Sequence, residues 1–241
     1  MSADRLRYAC INSERDCGDE MDKNVIFDMD GVLLDSEVLD HKCWYEIADE
    51  NGLKEIDDVF FKTIGRTEDA CIRLLKDKYG EDFDGAWFRA ATLARFDEKA
   101  ERDGMPVKPY AADCLKGLKD AGYGLALASS TNIDRVKRQL TETGLIGYFD
   151  EVIGGGMFKN SKPDPEVFLL ACEKLGAVPA ETYVIEDSFN GVRAAHAGGM
   201  LPIMVPDLVQ PDEEILEICH RVCRNLKEVK EYLSDARPRD L

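Results

Sequence analysis

The chain has 241 residues, 44% of them hydrophobic, and a formal charge of −17, so it can bury a core of one large domain or of a core with a small insert. That charge repels polyanions at long range, which argues against nucleic acid and anionic membranes as partners, and no apolar run approaches the roughly 20 residues of a membrane span. Eight scattered cysteines without C-x-x-C spacing argue against a zinc site and for reduced thiols in a cytoplasmic protein.

Residues 1–20 are polar, mixed in charge and without an apolar stretch, and read as a disordered tail rather than a secretory signal. Nothing in the pattern supports a Cys10–Cys17 bridge there, and Met21 is an alternative start. Val25-Ile26-Phe27 is a short apolar run that ends at Asp28. From Ser36 to Gly104 no strand signal appears. Ser36 is placed to cap a helix through Trp44 and Ile47 that closes near Gly52; Thr67 is placed to cap another through Ile72 and Leu75 that ends at Gly80. A third helix is expected from Gly85 to about Arg102. Beyond this insert, strands alternate with helices. The helix at 111–121 stops at Gly122, and the apolar run at 125–128 ends at Ser129. Asn132 caps a helix through Gln139 and Leu140. Asp164-Pro165 opens a helix closed by Gly176, the run at 183–185 ends at Glu186-Asp187, and the run at 201–205 ends at Pro206-Asp207.

Short apolar runs bounded by turn signals suit strands buried on both faces of a parallel sheet. The expected fold is therefore α/β, a doubly wound parallel sheet formed by residues 21–35 and 105–235, with a helical cap of 36–104 inserted after the first strand. Such sheets bind ligands beyond the carboxyl ends of their strands, where these polar residues converge, and the insert would cover the site as a lid.

Asp28 and Asp30 stand two apart at a strand end in Asp28-Met29-Asp30-Gly31. One carboxylate can attack phosphorus while the second moves protons, and Gly31 lets the backbone turn close to a ligand. Alone, the segment is equally an acidic surface loop, and Glu186-Asp187 a solvated turn. If all four acids share one site, unit charges about 4 Å apart repel by roughly 4 kcal/mol at an effective dielectric of 20. Such a cluster needs a counter-ion, and oxygen ligands beside a phosphate suit Mg²⁺. Ser129 and Ser130, with their backbone N–H groups, can hold phosphoryl oxygens. The ammonium of Lys162, in Ser161-Lys162-Pro163, can neutralise nucleophile and phosphate together.

The segments FDMDGVLLDSE (27–37), LALASSTN (125–132), SKPDPEVF (161–168) and VIEDSFNGVRAAHAGGM (184–200) follow in this order. They resemble the four motifs of the haloacid dehalogenase superfamily, in the helical-cap subgroup that includes phosphoglycolate phosphatases and β-phosphoglucomutases. The likeness extends from about residue 23 to 233. It implies Asp28 as nucleophile and Asp30 as general acid and base. It implies Ser129, Ser130 and Lys162 on the phosphoryl group, with Mg²⁺ held by Asp28, the Asp30 carbonyl, Glu186 and Asp187. Arg66 would reach from the cap to the substrate; Asn190 would orient the metal site or cap a helix. The implied activity is Mg²⁺-dependent hydrolysis of a small organic phosphate of sugar type through an aspartyl phosphate. A β-phosphoglucomutase-type isomerase is the nearest rival, but its cap histidine falls at Asp40 here, with His41 one residue and about 100° further round the helix. A dehalogenase would lack the second carboxylate, Asp30. A phospho-aspartate receiver switch would put its acidic pair before the phosphoacceptor in about half this length. No readable motif encodes the particular ester or the oligomeric state.

Overall fold

The computed structural model of the chain describes residues 23–64 and 66–235. The tail expected at 1–20, Cys10, Cys17 and Gly65 lie outside the described residues. The chain enters with β1 (Asn24–Phe27) and leaves the sheet for α1 (Ser36–Glu50), α2 (Asp57–Thr63), α3 (Glu68–Tyr79) and α4 (Gly85–Asp103). It then alternates through α5 (Ala111–Asp120), β2 (Gly124–Asn132), α6 (Ile133–Glu142), β3 (Glu151–Gly155), α7 (Glu166–Leu175), β4 (Thr182–Glu186) and α8 (Phe189–Ala197). The last elements are β5 (Leu201–Met204), α9 (Glu213–Ile218), β6 (Arg221–Val222) and α10 (Leu226–Asp235).

All strand pairings are parallel, in the order β3-β2-β1-β4-β5-β6. The order reverses at β1, where Phe27 lies between Leu127 of β2 and Ile185 of β4. A doubly wound sheet opens its ligand crevice at such a switch point. Val25 and Phe27 pack with Leu115, Leu118, Leu140 and Val229 on one face. Ile26 packs with Val167, Phe168 and Ala194 on the other. Helices cover both faces, which is why the strands read as continuous apolar runs. The two strands without a sequence signal, β3 and β6, are the edges of the sheet: one carries two glycines, the other is only two exposed residues.

The insert has four helices where three are expected. The additional one, α2, spans seven residues, too few to display a helical period, and it is held by burial of Val59 and Phe60. Trp44 is fully buried at the centre of the cap, edge-on to Phe60 (5.5 Å between centroids) and Phe88 (5.2 Å). Leu208 and Val209, from the segment after β5, pack onto this cluster and seat the cap on the core. Entry and exit run side by side. The Asp35 N–H donates to the Pro106 carbonyl and the Lys108 N–H to the Leu33 carbonyl, both at 2.9 Å. The Lys108 ammonium donates to Asp35 (2.9 Å) and Asp207 (2.5 Å), clamping both passages to the core.

Most expected helix ends are present. Asn132 Oδ1 accepts the Asp134 N–H at 3.0 Å, Asp164 Oδ1 accepts the Glu166 N–H at 3.0 Å, and Gly176 closes α7 with φ of 68°. Ser36 is a correction: Asp35 occupies the cap position of α1, and the Ser36 hydroxyl donates to Asp30 instead. Thr67 stands at the cap of α3 without a side-chain bond. The six described cysteines are unpaired, and all but the half-buried Cys219 are buried.

Candidate active site

Asp28 is the first residue beyond β1, and its N–H continues the sheet by donating to the Ile185 carbonyl at 2.9 Å. Glu186 ends the neighbouring strand β4, and Ser129 lies in β2 on the other side. Lys162 enters from the segment before α7 and is 1% exposed. Its ammonium donates to Asp28 Oδ1 at 2.5 Å and to Glu186 Oε1 at 2.6 Å, and lies 4.7 Å from the Phe168 ring centre. Burial opposes the charge on Lys162, but the two carboxylates outweigh it and keep the ammonium protonated. For Asp28, burial together with the charges of Glu186 and Asp30 exceeds the pull of Lys162 and pushes the carboxyl up to about 8.

Three hydroxyls fix Asp30. Ser36 donates to Oδ1 at 2.7 Å, and Thr131 and Ser129 donate to Oδ2 at 2.9 and 3.3 Å. Ser129 Oγ also accepts the Thr131 N–H at 3.0 Å. Sequence reasoning assigns Ser129 and Ser130 to the phosphoryl group; both line the cavity, and Ser129 also positions Asp30. It misses Ser36 and Thr131, whose only signal is a hydroxyl next to a motif.

Asp187 and Glu186 part company. Asp187 lines the cavity at 3% exposure. A Cβ on Gly31 would fall 2.2 Å from Asp187 Oδ2, and Gly31 has φ of +78°, so close approach and backbone conformation both require glycine. Glu186 is fully buried and is not among the residues lining the cavity. Its Oε1 takes Lys162, and its Oε2 accepts the N–H groups of Asp187 (2.9 Å) and Ser188 (2.8 Å) and the Ser188 hydroxyl (3.0 Å). Glu186 thus holds Lys162 and the β4 terminus.

Among the described residues no three His, Cys, Asp or Glu side chains form a ready-made metal cage. Five acids line the cavity, Asp28, Asp30, Glu37, Asp40 and Asp187; with Asp30 bound by three hydroxyls and Glu37 and Asp40 on the inserted helices, Asp28 and Asp187 are the core pair left for an ion. Burial, then the charges of Glu186, Glu37 and Asp28, push the Asp187 carboxyl well above the ordinary range. Mg²⁺ takes one or two carboxylates and fills its shell with phosphate oxygens and water. This donor pair fits that ion.

The cavity encloses about 120 Å³ between core and cap. Cap residues Glu37, Asp40, Arg66 and Arg89 line it, with Arg135 and Gln139 of the core helix α6. Arg66 is exposed at its rim. Burial, Asp30 and Asp40 push the Glu37 carboxyl well up. Asn190 is neither in the cavity lining nor the cap of α8, which is Ser188. Its Nδ2 donates to the Ile64 carbonyl at 3.1 Å and so ties α8 to the cap. A second tie is Asp97 of α4, held by Arg135 (2.9 Å) and Arg138 (2.8 Å) of α6. Asp40 lines the cavity, whereas His41 faces Asp57 at 2.8 Å and packs on Phe60 and Phe61.

The family model for haloacid dehalogenase-like hydrolases matches residues 23–199. A phosphorylated carbohydrates phosphatase from Thermotoga maritima is 32% identical over 183 residues, covering 73% of this chain and 81% of its own. A fructose-1-phosphate phosphatase from Escherichia coli is 29% identical over 181 residues, covering 73% and 92%. The crystal structure of CbbY from Rhodobacter sphaeroides in complex with phosphate superposes with a TM-score of 0.72 at 25% identity, over 87% of this chain and 96% of that one. With the motif-bearing strand ends gathered at the switch point of the sheet, the match over most of the chain means that this protein belongs to the haloacid dehalogenase-like hydrolases.

Proposed function

We propose that the protein is a Mg²⁺-dependent phosphatase that hydrolyses small organic phosphates of sugar type through an aspartyl phosphate on Asp28. The observation that carries this reading is the contact of the Lys162 ammonium with the buried Asp28 carboxylate, beside an Asp30 oriented by three hydroxyls. A buried strand-end carboxyl, ionised when Mg²⁺ joins Lys162 beside it, would be a nucleophile aimed at the crevice. Bound between Asp28 and Asp187, Mg²⁺ would supply the positive charge that lets a dianionic phosphate approach these acids.

Asp28 attacks phosphorus in line and takes the phosphoryl group. Asp30, two residues on, gives a proton to the departing alcohol oxygen and later takes one from the water that hydrolyses the acyl phosphate. Ser129 and Ser130 bear on the phosphoryl oxygens, and Lys162 holds Asp28 at the attack position. Arg66, at the rim, closes over the ester. A 120 Å³ cavity suits a small ester. The names of the two phosphatase relatives point the same way. Against a mutase stands the cap position at Asp40, an acid paired with Arg89, with His41 turned to Asp57.

The test is phosphate release over a panel of metabolite esters with Mg²⁺, including β-glucose 1-phosphate with and without glucose bisphosphate. Hydrolysis of several esters and an acid-quenched, hydroxylamine-labile label on Asp28 are expected. Isomerisation that requires the bisphosphate would replace this reading with the mutase.

A further inference from the structure

Three residues that line the cavity each carry a buried polar atom with no hydrogen-bond partner among the described residues: Asp40 Oδ1 on α1, Arg89 Nε on α4 and Gln139 Oε1 on α6. Arg89 is 9% exposed and Gln139 2% exposed. Buried polar groups are nearly always paired, so three such atoms around one cavity mark a surface shaped for something polar. The surrounding contacts hold the side chains in place. Arg89 stacks on Trp44, 4.9 Å from its ring centre, bonds Thr92 Oγ1 at 3.1 Å and faces Asp40 Oδ2 at 3.6 Å. The Trp44 indole N–H, one turn beyond Asp40 and outside the cavity lining, is a donor that favours the charged form of the Asp40 carboxyl, so Asp40 is the least free of the three.

The chemistry of this set is selective. The charges of Asp40 and Arg89 cancel, and the unpaired atoms are two acceptors and one donor. A hydroxyl serves either kind, donating to Asp40 or Gln139 and accepting from Arg89. A second phosphate or a carboxylate offers only acceptors at neutral pH. It would leave Asp40 Oδ1 and Gln139 Oε1 unpaired and meet a carboxylate of its own sign. Two other arginines line the cavity: Arg135 is engaged by Asp97 while its charge still bears on Asp40, and Arg66 stands at the rim over the phosphoester, apart from the buried set.

We propose that Asp40, Arg89 and Gln139 form the leaving-group pocket, and that they select monophosphates of neutral polyhydroxylated alcohols over bisphosphates and phosphorylated hydroxy acids. This rests on the phosphatase reading above. Because Asp40 and Arg89 belong to the cap and Gln139 to the core, the pocket is complete only with the cap seated. It ties recognition of the alcohol to closure.

The test compares kcat/KM for glycerol phosphate and fructose 1-phosphate with that for phosphoglycolate, glucose bisphosphate and p-nitrophenyl phosphate, whose leaving group has no aliphatic hydroxyl. Wild-type protein should prefer the polyol esters to both anionic ones by at least about tenfold. Gln139→Leu removes an amide whose buried oxygen is unpaired and puts an apolar group of similar size in its place, so the fold should survive it. It should lower the ratio of polyol ester to p-nitrophenyl phosphate by at least about tenfold, through KM. Asp40→Asn, which keeps the shape and removes the charge, should relax the exclusion of phosphoglycolate. A wild-type preference for the bisphosphate or the acid, or an unchanged ratio in both variants, overturns the proposal. Loss of all Mg²⁺-dependent hydrolysis in wild-type protein is a different result and overturns the phosphatase reading along with it.

Discussion

The Lys162 ammonium and the Asp28 carboxylate, 134 positions apart in the chain, meet at 2.5 Å in the interior. The same ammonium reaches Glu186 at 2.6 Å, so one buried cation serves two buried carboxyl groups. Removing it by Lys162→Met leaves both carboxylates without a counter-charge, at a cost of about 3–5 kcal/mol. For a chain of this size that is a fall in melting temperature of roughly 6–20 °C. The double variant Lys162→Met/Glu186→Gln should recover part of the loss, because the second change removes an anion that the first stranded. Thermal denaturation of the three proteins measures this; equal melting of all three would contradict it.

Asp28→Asn keeps an acceptor for Lys162 and the shape of the side chain. Turnover should fall by at least about three orders of magnitude while the melting temperature stays near that of wild type. Activity close to wild type in the folded variant would remove Asp28 from the role of nucleophile.

Asp187 carries a pH prediction. Burial first, and then Glu186, Glu37 and Asp28, hold its carboxyl well above 3.8 in the fold. The folded state therefore keeps a proton that the unfolded chain has released. This contribution is fully present below about pH 3.8 and is lost as pH rises, with Asp28 adding the same trend up to about 8. In EDTA, Asp187→Asn should melt above wild type, and the gap should be wider at pH 8 than at pH 5. Each kcal/mol of relief amounts to about 2–4 °C. Mg²⁺ should raise the melting temperature of wild type and leave the variant nearly unmoved. An equal Mg²⁺ shift in both would take Asp187 out of the ion's shell.

Asn190 tests the seating of the cap. Its bond to the Ile64 carbonyl is worth about 1 kcal/mol. Asn190→Ala should thus raise KM by roughly fivefold, with faster hydrogen exchange in residues 60–67. If exchange there and KM both match wild type, the contact does not hold the cap.

Much of the core was readable because its signals are local. An apolar run such as Val25-Ile26-Phe27 between turn residues announces a doubly covered strand, and Asn132 and Gly176 mark helix ends by chemistry within three residues. The helix α2 escaped because seven residues show no period, and β6 because two exposed residues are paired only by their neighbour. At the site, Asp28, Asp30 and Lys162 were identifiable from motif order. The direction of Glu186 was not, since it depends on Lys162, 24 positions earlier, and on the Ser188 hydroxyl. Nor was Gln139, which reads as one more polar residue of an amphipathic helix until the cap closes over it.

The sequence by itself determined which strands end in acids and which segment interrupts the alternation, because strand burial and helix capping are settled among near neighbours. Tertiary structure decided which acids face the cavity, which hydroxyls hold Asp30 and which polar atoms are left for a ligand. Those outcomes depend on desolvation and on hydrogen bonds across roughly a hundred residues, as between Thr131 and Asp30, 101 positions apart. No local pattern carries that information, because the energy of a buried charge is set by whatever the fold places beside it.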